Sequence, residues 1–279
     1  MPTKPSRLRA ALLLAIALAG AGFDPAGARI LIGAHRGLSA AAQPENSLAA
    51  LRAALAAGLD VVEIDLRTTA DGAIVLMHDA GVERTTNGAG RVSAMTLARL
   101  KALDLGSGEP VPTLGEALDL IAASRTRLLL DLKNGGQIDP ARLIELARSR
   151  NALDRIIIGV RSARQARAYR ALSPSLTILG FVPRVADVDA FAAGGANIIR
   201  LWPKWVLAPA SGCGRTPSPT CLVQKLQRRS LETWSLADAP ADRAKASAMF
   251  DRLVALGVDA IVTDRPELAA QASHRLGKD

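Results

Sequence analysis

One pattern limits what this chain can fold into: from residue 30 to residue 263, short apolar runs alternate with stretches of helical period. That alternation is the mark of parallel β/α architecture. Predicted strands fall at 30–35, 61–66, 74–78, 127–132, 155–160, 176–182, 197–201, 231–236 and 260–263. Predicted helices fall at 47–57, 114–123, 140–150, 163–171, 188–193 and 242–256. Nothing reads as an interdomain linker or an internal repeat, and residues 29–279 suit a single (β/α)8 barrel of the TIM type. The strand count is one too many. The run at 74–78 is the exceptional one, because only 67–72 separates it from its predecessor and Asp71-Gly72 has the composition of a hairpin turn. For its end to meet the previous strand at one barrel rim, the chain is expected to descend, turn at Asp71-Gly72 and rise again. Long loops over the active face are expected at 86–90 and 208–219.

Of the 279 residues, 49% are hydrophobic but only 3% aromatic, so the core must be aliphatic. Residues 1–28 read as a secretory signal: Lys4, Arg7 and Arg9 precede an apolar run from Ala11 to Gly22 that is short for a membrane span. Small-residue cleavage patterns lie at Ala19-Gly20-Ala21 and Ala26-Gly27-Ala28. Export to a periplasm or the medium follows, with an uncleaved anchor as the alternative. In such a compartment Cys213 and Cys221 form a disulfide worth about 2–3 kcal/mol, or else remain buried thiols. The net charge of +9 suits a phosphate-bearing small molecule or an anionic lipid surface, or reflects only an arginine-rich exterior. Scattered basic residues and few aromatics give no support to nucleic acid as a partner, and no specific protein partner is indicated.

Of the histidines, His35 and His78 each end an apolar run near acidic residues. Glu63 and Asp65 alternate on a predicted strand, so both point to one side, the barrel interior or mouth. Two carboxylates facing each other there repel unless a cation lies between them. That cation is either a hard divalent ion such as Ca2+ or Mg2+, or a basic side chain, Arg67 or Lys133. Asp131 and Lys133 share a face at the end of the strand 127–132, and Lys133 and Arg36 are candidates for contacting phosphate oxygens. Imidazole titrates near neutral pH, which makes His35 and His78 a candidate acid–base pair for phosphodiester hydrolysis. Asn46 or Ser47 is expected to cap the first helix. Asp264 is expected to cap a helix before Pro266, and His274 to fall in a polar tail.

The motifs His35-Arg36-Gly37, Pro44-Glu45-Asn46-Ser47, Glu63-Ile64-Asp65, His78-Asp79 and Asp131-Leu132-Lys133, with a closing Gly257-Val258-Asp259-Ala260-Ile261-Val262-Thr263-Asp264-Arg265-Pro266, stand in this order. Together they resemble the glycerophosphodiester phosphodiesterase family, a phospholipase C-like class of TIM barrels. The resemblance implies metal-dependent hydrolysis of glycerophosphodiesters to glycerol 3-phosphate and an alcohol. It implies catalysis by His35 and His78, with the glycerol 2-hydroxyl attacking first to give a cyclic phosphate that water opens. It further implies Ca2+ or Mg2+ on Glu63, Asp65 and Asp131, substrate contacts from Arg36, Lys133 and Trp234, and a supporting role for Glu45 in orienting His35 or a metal-bound water. Trp202 and Trp205 are further candidates for the mouth, and an ordinary core role is the alternative for all three tryptophans. The family more often has Glu where Asp131 stands. Spider-venom phospholipases with a similar motif order use Asp-x-Lys there, which keeps a phospholipase D-like activity on lysophospholipids or sphingomyelin as the alternative.

Overall fold

The computed structural model describes residues 29–39, 43–133, 138–208 and 221–277. In chain order the elements are β1 (Leu31–Ala34), α1 (Leu48–Ala56), β2 (Val61–Thr68), β3 (Ile74–Leu76), α2 (Leu97–Lys101), α3 (Leu114–Ile121), β4 (Arg127–Leu132), α4 (Pro140–Ser149), β5 (Ile156–Val160) and α5 (Ala163–Leu172). They continue with β6 (Thr177–Gly180), α6 (Val188–Ala193), β7 (Ile198–Leu201), α7 (Pro203–Leu207), α8 (Leu222–Gln227), β8 (Glu232–Ala237), α9 (Arg243–Ala255), β9 (Ala260–Thr263) and α10 (Pro266–Arg275). Helix starts follow local chemistry: Ser47, Asp139, Ser162 and Asp242 accept backbone N–H groups of the first turn, and Thr113 with Glu116 forms a capping box.

Eight strands are mutually parallel, and β1 pairs with both β2 and β9, so the sheet closes on itself. The predicted (β/α)8 barrel is therefore the fold. The supernumerary strand is β3, antiparallel to the upper end of β2. Its course corrects the expected one. β2 runs on past the rim, the turn at Asp71-Gly72 stands above it with Gly72 at φ 80°, and β3 comes back down. The direction is forced, because a strand antiparallel to one that rises with the barrel must descend. β1 leaves β2 after Ala34↔Val62, and β3 takes up the same edge higher up, from Leu66↔Leu76.

Alternate residues of the strands face inward or outward. The outward set, including Val62, Ile64, Leu128, Leu130 and Ile158, packs under the helices, while Val61, Leu129, Ile157, Leu179, Ile198 and Val262 fill the barrel. A satellite core of Val75, Met77, Val82, Val92, Met95, Leu100, Leu105 and Val111 supports the segment between β3 and α3, including the expected loop at 86–90. The short helices α2, α7 and α8 escaped prediction because so few residues carry little periodicity. The expected loop at 208–219 and Cys213 lie almost wholly outside the described residues. Cys221, its expected partner, is buried and is not a free thiol. The proposed signal, residues 1–28, also lies outside them. Among the described residues no helix is long and apolar enough to cross a membrane.

Three further expectations are corrected. His274 lies not in a tail but in the last turn of α10. Asp264 does not cap that helix; its carboxylate accepts the Ala239 N–H at 2.7 Å and ties the end of β9 to the segment after β8. Trp234, expected against substrate, is fully buried. Its indole N–H donates to Glu232 at 3.0 Å and its ring lies 5.7 Å from the guanidinium of Arg127, the first residue of β4. Asp131 stands near the other end of the same strand, so Trp234 is part of the barrel floor rather than the mouth. Trp234→Ala is expected to lower unfolding free energy by about 3–5 kcal/mol in chemical denaturation, the cost of a large cavity in a packed interior.

Candidate active site

The site grows from the turn that ends β1. Arg36 and Gly37 both have positive φ, 57° and 81°. At Gly37 a side chain is excluded outright, since a Cβ would lie 2.7 Å from that of Ala50 on α1. The turn lays its backbone over Glu63: the Arg36 N–H donates to the Glu63 carboxylate at 2.9 Å and the Gly37 N–H to its carbonyl at 3.2 Å. Ser47 alone caps α1, and this leaves Asn46 free for another task. Held at φ 58°, Asn46 donates its amide to Asp65 Oδ2 at 2.7 Å and accepts the Asp65 N–H at 2.9 Å. Asn46 thus clamps Asp65, a role its reading as a possible helix cap concealed.

Glu63, Asp65 and Asp131 are 1%, 0% and 3% exposed and each offers an oxygen within 4.8 Å of the others. Burial and the neighbouring Asp65 and Asp131 push Glu63 well above the ordinary carboxylate range. Burial would raise Asp65 too, but Lys133 and Asn46 outweigh it and hold Asp65 low. Lys133 is 2.8 Å from Asp65 and 2.5 Å from Asp131, and Arg161 reaches Asp131 at 2.6 Å. Of the two basic side chains considered as partners, Lys133 pairs with the carboxylates, while Arg67 donates to the His78 carbonyl at 2.9 Å. The residues fit a divalent cation. Among the described residues the Glu63 carboxylate has a backbone N–H and a histidine 3.8 Å away as partners, and an all-oxygen donor set of this kind suits a hard ion such as Ca2+ or Mg2+.

The two histidines flank this cluster with different support. His35, just past β1, has Nε2 3.8 Å from Glu63 and Nδ1 3.2 Å from Asp238. Burial, helped by Arg36, lowers its affinity for a proton. His78 is set at the height of Asp65, because the preceding Met77 N–H donates to the Asp65 carbonyl at 2.9 Å. Its Nδ1 is 2.6 Å from Asp79. Arg84 grips Asp79 at 2.5 Å and Glu45 at 2.7 Å, and holds Asp79 far below the usual carboxylate range together with His78. Glu45 also takes Arg36 at 3.2 Å. Of its two expected targets, His35 and a metal-bound water, His35 is not in contact with it among the described residues; Glu45 reaches Arg36 and, through Arg84 and Asp79, His78.

The other half of the mouth, at the ends of β5, β6 and β7, carries Trp202, already a candidate for the mouth, and three residues the sequence reading passed over: Arg161, Phe181 and Arg200. The Arg161 and Arg200 guanidinium carbons lie 4.9 and 5.4 Å from the Phe181 ring centre. Arg200 had a signal, a lone cation within the apolar run Ile198-Ile199-Arg200-Leu201. Trp202 is 37% exposed one residue past β7. Trp205 packs against the outer core instead of lining the mouth.

Comparison with known proteins bears on this arrangement. The model of the glycerophosphoryl diester phosphodiesterase family matches residues 35–268. A glycerophosphodiester phosphodiesterase from Caldanaerobacter subterraneus is 30% identical over 253 residues, covering 86% of this chain and 96% of the relative. The crystal structure of a glycerophosphodiester phosphodiesterase from Agrobacterium tumefaciens superposes with a TM-score of 0.69 at 27% identity, covering 86% of this chain and 99% of that one. An Oleispira antarctica phosphodiesterase, solved with the product sn-glycerol-3-phosphate, shares the fold with a TM-score of 0.70 at 24% identity, over 88% and 97% of the two chains.

Glu63→Gln removes a buried repulsion. The ion-free variant is expected to be more stable than wild type by roughly 1 kcal/mol, and to show none of the rise in melting temperature expected of the wild type with Ca2+ or Mg2+. Calorimetric melts with and without each ion check both; a variant that melts lower and still responds to the ions would show that the cation binds elsewhere.

Proposed function

The chain belongs to the glycerophosphoryl diester phosphodiesterase family, and on that premise we propose that it hydrolyses glycerophosphodiesters to glycerol 3-phosphate and an alcohol, using His35 and His78 as the acid–base pair. The observation that carries this reading is the unequal support of the two histidines on either side of one carboxylate cluster. A lowered proton affinity keeps His35 neutral, as a base for the glycerol 2-hydroxyl must be. Asp79, 2.6 Å from His78 Nδ1, orients the second ring, and Nε2 is assigned the protonation of the departing alkoxide. In the second step the roles reverse: His78 takes a proton from water, and His35 returns one to the 2-oxygen as the cyclic phosphate opens.

Lys133 and Arg36 both reach Asp65, at 2.8 and 3.5 Å, and from there give positive charge to the non-bridging oxygens as their charge grows. A divalent cation on Glu63, Asp65 and Asp131 would supply the same electrostatic withdrawal with greater strength. Asn46 and the Arg36 N–H fix the orientation of two of those carboxylates before substrate arrives. The basic start and apolar run of residues 1–28 support export, to be checked by fractionating cells that express the full chain.

The deciding experiment is release of glycerol 3-phosphate from glycerophosphocholine, first with chelator and then with Ca2+ or Mg2+ restored, with lysophosphatidylcholine as the competing substrate. Metal-restored release from the diester is expected; turnover of the lysolipid alone would transfer the assignment to the phospholipase D-like activity. His35→Ala and His78→Ala are each expected to lower kcat by about 10²–10⁴-fold without changing the melt. Because the folded-state pKa of His35 lies below the ordinary 6.5, its base form persists into mildly acid solution. The acid limb of kcat/KM is therefore expected to fall only beneath that value, and a limb centred above it would remove His35 as the base.

A further inference from the structure

The reaction as derived uses the ends of β1 to β4 and leaves Arg200 without a task. Arg200 is 7% exposed and sits two residues after the inward-facing Ile198, so it points into the barrel mouth. Its guanidinium carbon lies 3.3 Å from the Trp202 ring centre and 5.4 Å from that of Phe181. These rings set the plane of the group but satisfy none of its donors: Nε and Nη1 are buried without a hydrogen-bond partner. The one carboxylate that attracts it, Asp131, is already engaged by Lys133 and Arg161 at 2.5 and 2.6 Å. Buried donors of a guanidinium are ordinarily paired, and a planar fork matches carboxylate or phosphate.

We propose that Arg200, with Arg161 beside it, forms an anion subsite that favours glycerophosphodiesters whose leaving alcohol carries a further anionic group, a carboxylate or a second phosphate. This rests on the phosphodiesterase reading and specifies its substrate class. With phosphate held between the histidines and Lys133, the leaving alcohol extends across the mouth toward β5–β7. Trp202, the exposed wall over Arg200, is displaced as the anion enters and uncovers the Nε edge. A quaternary ammonium is disfavoured there, because the guanidinium already occupies a face of Trp202 and repels a second cation.

Glycerophosphoserine and glycerophosphoethanolamine test this directly, since they differ only by a carboxylate. The wild type is expected to prefer the serine diester in kcat/KM by about tenfold or more, and Arg200→Gln to collapse that preference, with Arg200→Lys intermediate. The ratio of two substrates on one preparation does not depend on how much of a variant folds. Equal kcat/KM values for the two diesters in the wild type, or an unchanged ratio in Arg200→Gln, would overturn the subsite. Should the wild type cleave neither diester, the phosphodiesterase reading fails separately. Calorimetric binding of the two diesters to wild type and Arg200→Gln then decides the subsite by the same ratio.

Discussion

Three carboxylates buried in one barrel mouth form the interaction on which the rest of the site depends. All three are almost fully buried, and without compensation their mutual repulsion would protonate them or open the rim. The compensation comes from every side. The Arg36 N–H caps Glu63, Asn46 clamps Asp65, and Lys133 and Arg161 neutralise Asp131. Glu63 is the least compensated member and keeps its proton most readily. The charge that folding leaves only partly balanced there is what would favour a divalent cation.

The backbone around the cluster follows from this requirement. Arg36, Gly37 and Asn46 occupy the left-handed region so that amides and an amide side chain converge on strand β2. The β2–β3 hairpin serves the opposite edge. It covers the stretch of β2 that β1 leaves open, and it returns the chain to the height of Asp65, where His78 is held by Met77 behind it and by Asp79 and Arg84 beside it. The satellite core between β3 and α3 steadies that excursion, so His78 stands on packed structure although it lies outside the parallel barrel.

The mouth divides into two halves with different chemistry. The ends of β1 to β4 carry the carboxylates, histidines and lysine suited to bond cleavage. The ends of β5 to β7 carry stacked arginines and aromatics, a surface for recognition. Beneath both lies a floor of aliphatic residues with the fully buried Trp234.

The sequence by itself determined the barrel and the chemical character of its rim. Strand and helix periodicity, caps such as Ser47 and Thr113, and the turn at Asp71-Gly72 are short-range effects legible in neighbouring residues. The spacing of Glu63 with Asp65, and of Asp131 with Lys133, likewise put each pair on one face. Only the tertiary structure decided which groups meet across the closed sheet: Asn46 with Asp65, Glu45 with Arg84, and Arg161 with Asp131. It also sent the hairpin upward, placed Trp234 at the floor and left two buried donors of Arg200 unpaired at the rim. These outcomes depend on strand register and barrel closure, which bring distant residues to one level, and no local pattern carries that height.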